Sequence, residues 1–69
     1  MNDFYNNMYN LYRGADYEKQ LAGLAYWQGI HKRNKDARRP DLYIFSGGMI
    51  AAIEKAIRDA DQEGGAVNV

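Results

Sequence analysis

The sequence predicts an all-α fold: a helical hairpin of two longer helices preceded by a short amphipathic N-terminal helix, with a second copy expected as its partner in a homodimer. Three observations carry this. Apolar residues recur at the helical period in three successive segments. The only proline, Pro40, separates the second segment from the third, and Gly64-Gly65 closes the third. Finally, a 69-residue chain with no cysteine and one histidine lacks disulfides, thiolate zinc sites and multi-histidine sites. A core this small supplies only about 3–5 kcal/mol, so association with another chain is the favoured support.

The first segment, NDFYNNMYNLYRG, places Phe4, Tyr5, Met8, Tyr9, Leu11 and Tyr12 on one side of a helical wheel. Asn6, Asn7, Asn10 and Arg13 fall on the other. Asp3 suits an N-cap and Gly14 a C-terminal stop. Asparagine is a weak helix former, so this helix needs a surface to lie on.

The second segment runs from about Asp16 to about Lys35, with Asp16 as its cap and Glu18 suited to the helix dipole. Its wheel sorts poorly. Tyr17, Leu21 and Leu24 form one stripe that Gln28 and His31 continue, whereas Tyr26 and Ile30 point the opposite way with Trp27 between. A helix apolar on several sides is covered on several sides, by the rest of the chain or by a second subunit.

The third helix is expected from Asp41, with Leu42, Phe45, Ser46, Met49, Ile50, Ile53, Ala56, Ile57 and Ala60 in one broad stripe. Glu54, Lys55, Arg58, Asp59, Asp61 and Gln62 lie opposite, and Glu54/Arg58 and Lys55/Asp59 stand four residues apart. The alternative makes Leu42–Phe45 a strand and Ser46 an N-cap; such a strand has no partner, so the continuous helix is preferred. Gly47-Gly48 weakens it by roughly 2 kcal/mol, which admits a bend or break. Residues 1–65 thus form one domain and 66–69 a frayed tail.

Formal net charge is zero, so overall charge attracts neither nucleic acid nor an anionic membrane. No apolar run approaches a membrane span and MNDFYNN lacks signal-peptide character, which predicts a soluble, cytoplasmic chain. Chains this short are often phage or mobile-element encoded, an expectation from size alone.

Catalytic chemistry finds little material. Ser46 is the only serine, threonine is absent and His31 is the only histidine; nothing in their spacing supports a nucleophile–base pair. His31 reads as a polar continuation of the second helix's stripe. Asp59, Asp61 and Glu63 read as a solvated face, without metal-loop spacing. Ser46-Gly47-Gly48 lacks the lysine of a P-loop and reads as a place for close helix packing. No catalytic residue, metal site or cofactor is therefore expected.

Two features remain. Lys32, Arg33, Lys35, Arg38 and Arg39 hold five of the nine basic residues. A helix C-terminus explains the first three by its dipole, but not Arg38 and Arg39, which follow it. Nine aromatics in 69 residues exceed what one small core can bury. Phe4, Met8, Leu21, Leu24, Phe45, Met49, Ile53 and Ile57 are expected to form that core. Tyr9, Tyr12, Tyr26, Trp27, Ile30, Arg38, Arg39 and Tyr43 are then the expected partner-binding set, of types enriched at interfaces. The predicted function is a non-catalytic interaction module, an inhibitor, adaptor or regulator that docks on a larger protein. The alternative is a nucleic-acid or nucleotide binder using Lys32, Arg33, Lys35, Arg38 and Arg39 beside Tyr26 or Trp27.

Overall fold

The computed structural model describes residues 3–68, with side chains described as far as Glu63. Three helices make up the chain: α1 (Asp3–Arg13), α2 (Tyr17–Asp36) and α3 (Pro40–Asn68). Local chemistry accounts for most boundaries. Asp16 is the N-cap of α2, its carboxylate accepting from the Lys19 N–H at 3.0 Å. Pro40 opens α3 as its first helical residue, one position earlier than expected; its missing N–H costs nothing there.

Residues 42–45 are helical, so the strand alternative is excluded. α3 also passes unbroken through Gly47-Gly48 and continues to Asn68, beyond the Gly64-Gly65 pair expected to end it. Tertiary packing overrides the weak propensity at the first pair. Gly47 faces α2, where an added Cβ would stand 3.3 Å from Cε1 of His31. The side chains of the expected tail, 66–69, lie outside the described residues.

α3 is the organising element. It packs against both α1 and α2, which touch each other far less. α2 and α3 run in opposite directions. Asn34 donates to the Leu42 carbonyl at 3.0 Å near one end, while Gln20 shares a concavity with Ile57 and Ala60 near the other. The shape is elongated, 46 × 25 × 14 Å, and nowhere thicker than about two helices.

The buried apolar residues Met49, Ala52, Ile53 and Ala56 all lie on α3. Small side chains let the flanking helices come close, and Ile53 is the one large apolar residue among them with no exposed surface. Ile53→Ala should therefore cost about 2–5 kcal/mol, the range for a buried large-to-small change. The expected core of large residues needs correction. Phe4, Leu21 and Phe45 are exposed, at 69%, 43% and 40%, while Met8, Leu24 and Ile57 are only half-buried. The reason lies on α2, whose buried positions are Gln20 and Gly23. The Tyr12 ring occupies the space a Cβ at Gly23 would need, and Nε2 of Gln20 donates to the Tyr12 carbonyl at 2.8 Å. Contacts to α1 thus turn a polar side of α2 inward and leave Tyr17 and Leu21 outside.

Candidate functional site

The corner between α2 and α3 is built by a helix cap. The Arg38 N–H donates to the Lys35 carbonyl at 3.1 Å and the Arg39 N–H to the Asn34 carbonyl at 3.0 Å. This paired bonding is a Schellman motif, which normally places glycine in its left-handed position. Here Arg38 takes that position, with φ 58°. A side chain there costs roughly 1 kcal/mol relative to glycine. Pro40 then starts α3 and the chain turns back along α2.

That turn gathers Asn34, Lys35, Arg38, Arg39, Pro40 and Tyr43 around a shallow concavity of about 210 Å³. Its three cations make no ion pair among the described residues, whereas Lys32 pairs with Asp36 at 3.4 Å. The Tyr43 ring stacks on His31, with centroids 4.0 Å apart and planes 14° from parallel. Beneath this stack the Oγ of Ser46 lies 2.8 Å from Nδ1 of His31. Asn34 Nδ2 also donates to that oxygen, at 3.3 Å. Oγ of Ser46 also lies 2.9 and 3.0 Å from the carbonyls of Leu42 and Tyr43, to either of which its hydroxyl can donate. With no exposed surface, Ser46 joins two helices.

A second feature crosses all three helices. Phe4 of α1 meets Phe45 of α3 edge to face, with centroids 5.6 Å apart. Phe45 meets Trp27 of α2, and Trp27 meets Tyr26, each at 6.0 Å. Tyr26 also lines a groove between α1 and α2 with Leu11, Tyr12, Ala22 and Gly23. Along this band Phe4, Leu11 and Tyr26 are each about two-thirds exposed, at 69%, 64% and 65%.

The expected site residues therefore fall into separate places. Arg38, Arg39, Tyr43 and Lys35 meet at the corner, and Tyr26 and Trp27 belong to the aromatic band. Arg33 is exposed on α2 and Ile30 is half-buried. Tyr12 lies over Gly23. Tyr9 is engaged within the chain, donating from its hydroxyl to Oδ2 of Asp59 at 2.5 Å with Lys55 Nζ 5.0 Å from its ring centroid.

Asp59, expected on a solvated face, is half-buried and joins α1 to α3, whereas Glu63 is exposed as expected and reaches Arg13 of α1 from there. Asp59 takes Tyr9 and Lys55, and Glu63 pairs with Arg13. The Tyr9 hydrogen bond, followed by that from Lys55, holds the Asp59 carboxyl below its usual value. The same Asp59 contact raises the Tyr9 phenol and, on its other side, the Lys55 ammonium.

Sequence reasoning missed Phe4, Leu11 and Phe45 as surface residues because period alone does not say which neighbour covers a face. Exposed Ile44, at 72%, had a signal: it lies outside the stripe Leu42, Phe45, Met49 and Ile53. Among the described residues no group of three or more acidic, histidine or cysteine side chains converges as a metal site requires, and no helix is long and apolar enough to cross a membrane. No protein family, curated protein or solved structure matches the chain.

Proposed function

We propose that this protein is a non-catalytic interaction module, an inhibitor, adaptor or regulator whose α2–α3 hairpin docks on a larger protein and which works as a small homodimer. The observation that carries this is the exposed band Phe4–Phe45–Trp27–Tyr26 with Leu11. Aromatic side chains at partial exposure provide large contact area at low entropic cost and make the usual anchors of protein interfaces. The corner adds unpaired arginines beside Tyr43, suited to a carboxylate-bearing rim on the partner.

The test is capture of the tagged protein's partners from its host lysate, with and without nuclease. One stoichiometric protein that survives nuclease, and is lost on Tyr26→Ser or Leu11→Ser, is the expected result. Both substitutions change exposed side chains and should leave helicity intact. Retention of that protein by both variants would remove the band from the interface.

The corner concavity also favours a second reading, a nucleic-acid or nucleotide binder through Lys35, Arg38, Arg39 and Tyr43, with Lys32 and Arg33 nearby. Its signature is affinity that falls with salt by about one power per phosphate neutralised and disappears on Arg38→Glu with Arg39→Glu. Partner proteins lost on nuclease treatment would favour this reading over the first.

A further inference from the structure

The side of α2 turned away from α3 carries a stripe of exposed residues, one of which, Ala22, also borders the groove beside α1. Inward positions include Gln20, Gly23, Trp27, Ile30, His31 and Asn34, all buried or half-buried. Opposite them Glu18, Ala22, Ala25, Gly29 and Arg33 are all exposed. Spacings of four, three, four and four residues put these five on one stripe. The middle holds only small residues, and a Cβ added at Gly29 would meet nothing within 4 Å. The ends carry opposite charges, and neither Glu18 nor Arg33 has an ion-pair partner among the described residues.

The order of these residues is symmetric. Glu18 and Arg33, Ala22 and Gly29, and Ala25 and Tyr26 are each centred on the point between residues 25 and 26. Turned end for end, the stripe's ends and flanks match: acid meets base at both ends, and Ala22 meets Gly29 on either side of Ala25. A two-fold contact between identical surfaces requires this kind of self-complementarity.

We propose that this face binds a second copy of the chain, the two α2 helices packing antiparallel with Glu18 of each copy opposite Arg33 of the other. The proposal rests on the interaction-module reading and assigns its homodimer to one surface. The chain exposes 5142 Å², more than the roughly 4,400 Å² of a compact monomer of 7.9 kDa, so it has surface to give up on association. Zero net charge adds no long-range repulsion between copies. Small residues at the contact let two helices approach to about 8 Å.

The experiment is sedimentation of the full chain over a concentration series, with Glu18→Arg, Arg33→Glu, the double reversal, and Ala25→Arg. The wild type should dimerise, each single reversal should weaken the dimer by about tenfold, and the double reversal should return to within about threefold of wild type. Ala25→Arg should abolish dimerisation. Glu18 and Arg33 lie in the end turns of α2, where each reversal opposes the helix dipole by up to about 1 kcal/mol, so circular dichroism must show retained helicity in each variant for its sedimentation to count. A monomeric wild type at ~200 μM overturns the proposal. So does a dimer indifferent to the single reversals, or one that the double reversal fails to rescue. A monomer that still captures a partner protein would sink this interface alone, while a monomer that captures none would sink the interaction reading with it.

Discussion

Nδ1 of His31 lies 2.8 Å from Oγ of Ser46, bridging helices through residues fifteen positions apart. Asn34 adds a second donor to the same oxygen, and Ser46 has no exposed surface. Ser46→Ala removes the oxygen both side chains share, so His31 Nδ1 loses this partner while Asn34 keeps the Leu42 carbonyl. We expect a loss of about 0.5–1.5 kcal/mol, the net worth of a hydrogen bond between half-buried groups. Urea unfolding at fixed protein concentration measures it, and a loss below about 0.5 kcal/mol would mean that water replaces the serine.

The seam between α1 and α3 should make stability depend on pH in a definite sense. Asp59 is lowered from 3.8, so its contribution is fully present above that value and is lost as pH falls through the lower folded value. Tyr9 is raised from 10.0, so its contribution is complete below 10.0 and is lost as pH rises through the higher folded value. Tyr9→Phe removes the largest cause of the Asp59 shift. The variant should unfold with a shallower dependence of Tm on pH between about 5 and 2 than the wild type. Parallel Tm curves over that range would show that Lys55 alone holds Asp59 down.

Two glycines in helix interiors should respond with opposite signs. At Gly48 an added Cβ meets nothing within 4 Å, so Gly48→Ala should stabilise by about 0.5–1 kcal/mol through helix propensity. At Gly23 the Cβ would overlap the Tyr12 ring. Gly23→Ala must move that ring and disturb the α1 contact, and a net loss of about 1–2 kcal/mol is expected. Thermal unfolding of the two variants side by side tests the pair. Stabilisation by both would mean that Tyr12 moves aside without cost.

Arg38 offers a separation of stability from binding. Arg38→Gly relieves the left-handed backbone at φ 58° and should stabilise the fold by about 0.5–1 kcal/mol. If the corner contacts a partner, the same substitution weakens capture. A more stable variant with weaker binding is the expected combination; unchanged binding would leave the arginine without a role at the corner.

The contrast between α2 and α3 explains what the sequence made legible. Along α3 the apolar residues share one stripe, and Met49, Ile53 and Ala56 are buried as their spacing predicts. Along α2 no such stripe exists, and the positions that reach the interior include Gln20, Gly23 and Asn34. Leu21 and Tyr17 look more suitable by composition. They remain outside because Gln20 bonds the Tyr12 carbonyl and Asn34 bonds the Leu42 carbonyl, which set the rotation of α2. Among the candidate site residues, Arg38, Arg39 and Tyr43 were legible because a proline-bounded turn brings them together. Tyr9 was not, because its partner Asp59 is fifty positions away.

By itself the sequence determined three helices, the Asp16 cap, the turn before Pro40 and a surplus of aromatic side chains, because period, capping and composition act locally. Only the tertiary structure decided which side of α2 faces inward, how His31 and Asn34 meet Ser46, and that Phe4, Leu11 and Tyr26 remain exposed. Those outcomes depend on contacts between residues distant in the chain, where a few hydrogen bonds and one ring over a glycine outweigh the modest preference of any single side chain for burial.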